Sequence, residues 1–426
     1  MKKITRRNFV KNTAIISPLI AFPSTGLGGK NFSFQEQKVR VGIVGCGGRG
    51  TADMINCLNS APNVELTAMG DLFEESIKTS YERIMEKAGD KVNVPEKNKF
   101  TGFDSYEGVL SCDLDLVLLT SPPVYRPIHL KAAIDANKHV FMEKPIAVDP
   151  IGVRSVMASS ELADKKGLTI LGGTQMRKAK HIKNAMNQIH SGEIGDIVGG
   201  QCCRLGGAMR SWGPPERKPE WSDMEWQIRN WYFYTWGSGD FITEMHIHNL
   251  DLINWAFNTH PVSCIGFGGR QARTGPVTGK WGNIYDHFTV EYLYPGDIRI
   301  EYIGTQIDNS VSRNDQRIVG TKGSVYIDFR KAIVNKQEIN AEGNSSIEQH
   351  ALQIEAIRKG LKLNDGKQVS ESTMSTLMGR MCCYTGKEVK WDWIMNESQC
   401  NITPEKFEFG SYPFPEVAIP GVTPLV

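Results

Sequence analysis

The sequence predicts an α/β protein: an N-terminal doubly wound parallel sheet, then a C-terminal α+β domain on a large open, mostly antiparallel sheet. Three observations carry this. From residue 38 to about 175, short apolar strands alternate with helical patterns. A glycine-rich turn, Gly45-Cys46-Gly47-Gly48-Arg49-Gly50, separates the first strand from the first helix. After residue 196, strands follow one another with few helices between. Strand–helix alternation implies right-handed crossovers and parallel pairing. Strands in direct succession pair antiparallel.

Residues 38–45, rich in Val and Ile, read as a buried strand, and the glycines after it open a helix near 49–60. Strands at 64–70, 114–120, 138–142 and 167–173 follow, with helices near 74–87, 126–137 and 150–165 between them. A helix over 179–191 ends at Ser191-Gly192. Strands are then expected at 196–204, 262–270, 285–294, 297–304, 316–320 and 323–329, interrupted by one helix at about 240–257. Residues 206–236 read as a long irregular segment, and loops of that length are commonly functional. Helices near 346–360 and 370–386 complete the fold, and the proline-rich tail from Tyr412 reads as extended.

At 426 residues, 40% hydrophobic and 23% charged, the chain has the composition of a globular protein with length for two cores. Its net charge is +2, but residues 1–29 hold five basic side chains and no acidic one, so the remainder carries −3. That balance gives no electrostatic reason to bind nucleic acid. Thr5-Arg6-Arg7-Asn8-Phe9-Val10-Lys11 has the twin-arginine pattern, followed by a modest apolar stretch from Ala14 to Phe22. The expectation is an export signal over 1–30, a nucleotide-binding domain over 38–175 and a substrate and oligomerisation domain over 176–426. Its partner in export would be the twin-arginine machinery, and its location the periplasm. No apolar stretch reaches the roughly 20 residues that span a bilayer. The nine cysteines include the adjacent pairs Cys202-Cys203 and Cys382-Cys383 and no C-x-x-C, which fits neither a disulfide framework nor a zinc site.

The turn at 45–50 fits G-x-G-x-x-G, a Rossmann-type dinucleotide fingerprint: tight turn, close approach of backbone to pyrophosphate, and phosphates on a helix N-terminus. Gly45, Gly47, Gly48, Arg49 and Gly50 are the expected cofactor residues. Asp71, ending the second strand, is placed to accept hydrogen bonds from the adenosine ribose and to repel a 2′-phosphate, which selects NAD. Ser121 and Pro122, and then Glu143 and Lys144, follow later strands at the carboxyl edge of the sheet, where ligands of such folds bind.

The glycine turn, Glu143-Lys144-Pro145, Gly195-Asp196-Ile197 and Gly320-Thr321-Lys322-Gly323-Ser324 together resemble the Gfo/Idh/MocA oxidoreductases, named for glucose–fructose oxidoreductase, inositol dehydrogenase and the MocA protein. The resemblance extends over nearly all of the chain after residue 38. It implies that Lys144 lies beside nicotinamide and substrate, and that the C-terminal sheet makes homodimer or homotetramer contacts. The family's second signature, Asp-x-x-x-His, is matched by Glu244 and His248, with Glu standing for Asp. At i, i+4 on one helix both would share a face, so that Glu244 orients His248 as a base. His246 and His248, two apart on a helix, point nearly opposite ways, so no metal is expected.

Five of the nine tryptophans fall between 212 and 236. Trp231, Tyr232, Trp236 and Arg229 are the candidate substrate contacts there, since aromatic faces stack on sugar rings. Packing of a core or an oligomer interface explains the same aromatics equally well. The expected activity is that of an exported NAD-dependent dehydrogenase acting on a ring hydroxyl of a sugar or glycoside, at C3 to give a 3-keto sugar, with its nucleotide tightly held. The alternatives are an NAD-dependent glycosidase working by transient C3 oxidation and elimination, and a non-catalytic sugar-binding relative.

Overall fold

The first sheet grows mostly from short apolar segments that can be buried on both faces. In the computed structural model, which describes residues 37–426, its strands are Val39–Val44 (β1), Val64–Asp71 (β2), Lys99–Thr101 (β3), Leu116–Leu119 (β4), His139–Met142 (β5) and Ile170–Gly172 (β6). They pair in the order β3-β2-β1-β4-β5-β6, all parallel. The expected export signal and its twin-arginine motif lie outside the described residues. Crossovers are made by Gly48–Leu58 (α1), Glu74–Ala88 (α2), Ser105–Ser111 (α3), Arg126–Asp135 (α4) and Pro150–Lys166 (α5), and Lys180–His190 (α6) leaves the sheet. Helix α5 shows why such boundaries are readable. Asp149 caps it by accepting from the Gly152 N–H, Pro150 stands in its first turn, and Gly167 ends it at φ +68°. Strand β3 is not anticipated: it is three residues at a sheet edge, without a buried apolar run.

The second sheet contains Ile197–Gly206 (β7), Ser263–Gly269 (β8), His287–Tyr294 (β9), Ile298–Gln306 (β10), Arg313–Gly320 (β11), Ser324–Ile327 (β12), Lys331–Val334 (β13), Gln337–Asn340 (β14) and Val389–Lys390 (β15). Its order is β14-β13-β12-β11-β7-β10-β9-β8-β15, and only the β7–β10 pair is parallel. The β13–β14 hairpin was not expected. Its two-residue turn, Asn335-Lys336, takes positive φ at both positions, but Asn-Lys lacks the glycine that usually announces such a turn.

The segment 206–236 is less irregular than expected: it holds Asp223–Arg229 (α7) and the short Thr235–Ser238 (α8). The single helix expected at 240–257 is two, Phe241–Glu244 (α9) and Ile247–Phe257 (α10), broken at Met245-His246. Past the second sheet, Ser345–Lys359 (α11) returns to the first. Its Gln353 side chain donates to the Val140 carbonyl at 2.8 Å, and its Arg358 to the Gln37 and Pro62 carbonyls. Gly366–Thr385 (α12) backs the second sheet and buries most of its length, so it shows no polar face to read. Trp391–Asn396 (α13) closes the regular structure. All nine cysteines are free thiols, seven of them buried.

Candidate active site

Two cavities meet at the carboxyl edge of the first sheet. The larger, about 700 Å³, runs over the glycine turn and the end of β2. The smaller, about 290 Å³, lies between the ends of β4 and β5 and the α9–α10 break. Arg49, Thr120, Ser121, Trp212 and Trp231 line both.

The larger cavity brings together Gly45, Gly47, Gly48, Arg49, Gly50, Asp71, Ser121 and Pro122. Each glycine has its own reason to be there. Gly45 takes φ +100°, and a Cβ on it would lie 2.3 Å from the Ser121 nitrogen. A Cβ on Gly50 would meet the Gly45 carbonyl at 2.1 Å, so both are demanded by the turn itself. Added Cβ atoms on Gly47 and Gly48 meet nothing within 4 Å: they border open space at the start of α1, which no side chain caps. That is the place a pyrophosphate takes on a helix N-terminus, and the residues fit the group. Asp71 accepts from the Cys46 N–H at 2.6 Å and the Phe73 N–H at 2.9 Å, and burial raises its pKa.

Arg49 lines the cleft with its guanidinium held by two carboxylates. Its guanidinium donates to Glu143 at 2.7 and 3.0 Å and lies 3.1 Å from Asp53. Asp53 is fully buried; burial and the neighbouring Glu143 charge push its carboxyl well above the usual range. Glu143 also accepts from the Lys144 backbone N–H, and the Lys144–Pro145 peptide is cis.

The smaller cavity gathers Lys144, Glu244 and His248. The Lys144 ammonium donates to the Glu244 carbonyl at 2.7 Å and to its carboxylate at 3.3 Å. Burial first, then the charges of Lys144, Arg204 and Arg49, holds the His248 ring well below the usual histidine range, so it is neutral. Here the expected Glu244–His248 pair is corrected. No hydrogen bond joins them, because the break at Met245-His246 removes the i, i+4 register and Lys144 takes the carboxylate. Glu244 Oε2 and His248 Nδ1 are both buried without a partner. His246 is structural, its Nδ1 2.5 Å from the Tyr302 hydroxyl, and the described residues hold no cluster suited to a metal.

The aromatic candidates divide. Trp231 lines both cavities, and so does Trp212. Tyr232 touches the larger cavity, but it is 1% exposed and its hydroxyl accepts from Gln306. Trp236 is buried, donates to Gln227 and lines neither cavity, so it is core. Arg229 is also displaced: it stacks on Phe73 at 3.7 Å and pairs with Glu75 and Glu225, which puts it at the Asp71 end of the larger cleft, away from Lys144. Sequence reasoning missed Arg126 and Arg204 of the smaller cavity. Arg126 had a signal, since it follows β4 at the same sheet edge that marked Lys144. Arg204, in β7, had none.

A nucleotide-binding sheet joined to a large mixed sheet, with lysine and histidine converging where they meet, defines a two-domain dinucleotide-dependent scaffold. The chain belongs to the Gfo/Idh/MocA family: residues 39–174 match its "Oxidoreductase family, NAD-binding Rossmann fold" and residues 182–326 its C-terminal domain, together well over half of the chain. NAD is accordingly its cofactor. The chain is 22% identical to the 2,7-anhydro-N-acetylneuraminate hydratase of Escherichia coli, over 69% of this chain and 68% of that one. It is 22% identical to the inositol 2-dehydrogenase of Acidothermus cellulolyticus, over 74% and 80%. Scyllo-inositol dehydrogenase from Lactobacillus casei, solved with NAD(H) and scyllo-inositol, superposes with a TM-score of 0.63 at 17% identity, over 83% of this chain and 99% of that one.

Proposed function

We propose that this protein is an NAD-dependent dehydrogenase acting on a ring hydroxyl of a sugar or glycoside. The observation that carries the reading is the convergence of Lys144 and neutral His248 in a cavity that shares a wall with the NAD cleft. NAD, when bound, supplies the acceptor for a hydride from the substrate carbon. The chain supplies charge and proton transfer. Lys144 spends two of its three ammonium hydrogens on Glu244, which leaves one for the substrate oxygen and sets a positive charge where negative charge develops. His248 is in the form that accepts the hydroxyl proton. Glu244 is a positioning residue. Through its carbonyl and carboxylate it holds the Lys144 ammonium in the cavity.

The second reading is oxidation used transiently, followed by elimination and re-reduction, as in an NAD-dependent glycosidase or lyase. The relative named as a hydratase of an anhydro-sugar favours it. The preferred position of oxidation is C3, because a carbonyl there acidifies the neighbouring C2–H. We extend the proposal to export by the twin-arginine route and to a homodimer or homotetramer through the second sheet, where Ile265 and Phe267 of β8 lie exposed. The test is to supply glycosides to the NAD-loaded protein and follow both nicotinamide reduction and free sugar. Stoichiometric reduction with a keto-sugar product supports the dehydrogenase; free sugar without net reduction selects the second reading.

A further inference from the structure

The charges around the smaller cavity do not balance. Its two carboxylates are both engaged: Glu143 with Arg49, and Glu244 with Lys144. Two guanidiniums remain. Arg126 is 1% exposed and gives one N–H to the Leu119 carbonyl, with no ion pair among the described residues; burial lowers its pKa only to about 10, so it stays charged. Arg204 is partly buried, gives one N–H to the Met245 carbonyl and has no ion pair among the described residues either. Both line the cavity, Arg126 from α4 beside the first sheet and Arg204 from β7 of the second. Cations withdrawn from water are costly; Glu143 and Glu244 attract Arg126, and Glu244 attracts Arg204, but both carboxylates are already paired, so they and the backbone carbonyls offset only part of that cost.

The nucleotide does not supply the missing anion. Its pyrophosphate belongs with Gly47 and Gly48 in the larger cleft, and neither Arg126 nor Arg204 lines that cleft. An oxidised nicotinamide would add a further positive charge. The substrate is the remaining source. We infer that the sugar taken by this cavity carries a carboxylate, of the uronic-acid or sialic-acid class, and that Arg204 and Arg126 receive it. This rests on the proposed reading of the cavity as the sugar site. A planar guanidinium suits a carboxylate better than a lysine would, since it offers two parallel N–H donors. Arg204 faces the side of the cavity lined by half-exposed Phe329, whose ring lies 6.0 Å from the guanidinium.

The experiment uses NAD-loaded full-length protein and three matched pairs: methyl glucuronide with methyl glucoside, methyl galacturonide with methyl galactoside, and N-acetylneuraminic acid with its methyl ester. Dissociation constants come from calorimetry, and oxidation from reduced-nicotinamide absorbance. At least one acid should bind about tenfold to a hundredfold more tightly than its neutral partner, the scale of a charge-assisted hydrogen bond. Arg204→Gln should remove most of that preference, read as the ratio of the two dissociation constants, and Arg204→Lys should restore part of it. The inference is overturned if no acid binds more tightly than its partner, or if Arg204→Gln weakens both members alike, as a purely structural arginine would. A tightly bound acid that is never oxidised keeps the inference and removes the dehydrogenase reading. Oxidation of neutral sugars without acid preference does the reverse.

Discussion

Lys144 and His248 do different work, and single substitutions separate them. Lys144→Ala removes the charge beside the substrate oxygen; His248→Ala removes the proton acceptor. Each should lower turnover by about 10²- to 10⁴-fold while mass spectrometry still finds NAD on the protein. Near-normal turnover in His248→Ala would take that residue out of the mechanism. Asp71→Ala should relax the preference for NAD over NADP, read from dissociation constants for the two nucleotides. An unchanged preference would mean that something other than this carboxylate discriminates. At this scale the sequence was readable where a motif fixed the residue: the glycines, Asp71, Lys144 and His248 all reach the cavities. It was unreadable where a side chain's partner depends on distant chain. Glu244 bonds Lys144, 100 positions away, rather than the histidine four positions on. Arg126 and Arg204 become neighbours of one cavity only when the two sheets meet.

Among the elements, the glycine turn makes a prediction that opposes two similar substitutions. Gly45→Ala places a Cβ against the Ser121 backbone at positive φ. It should cost about 1–3 kcal/mol from the backbone conformation alone, with the clash added, and lower the melting temperature. Gly47→Ala adds its methyl to open space, so the protein should fold normally and lose nucleotide affinity. Equal melting temperatures for Gly45→Ala and wild type, or full NAD affinity in Gly47→Ala, would contradict this division. The first sheet was legible because its inner strands are buried on both faces over most of their length and read as largely apolar runs. Strands β3 and β14 lie at sheet edges, where burial leaves little pattern. The α9–α10 break escaped because residues 240–257 keep an apolar content that suits one helix or two equally well.

For the whole molecule, four of the five buried histidines set an acid limit. Burial holds His129 and His350 at about 3, and His246 and His248 well below the usual histidine value. In the unfolded chain each titrates near 6.5. Below that pH the unfolded state binds protons that the folded state does not, so stability falls as pH falls, by up to about 1.4 kcal/mol per unit for each group. For His129 and His350 the window runs from about 6.5 down to about 3. Melting temperature should therefore drop between pH 7 and pH 5, and His350→Gln should flatten the slope; a flat profile in the wild type would contradict the burial of these rings. The account turns on the smaller cavity being a site of hydroxyl oxidation, and one measurement tests that most directly. NAD-loaded protein is mixed with a panel of neutral and acidic glycosides, and nicotinamide reduction is followed in a single turnover beside Lys144→Ala and His248→Ala. The account expects reduction with at least one glycoside in the wild type and its near loss in both variants with the nucleotide still bound. Reduction that persists in both, or no reduction with any sugar, would contradict it.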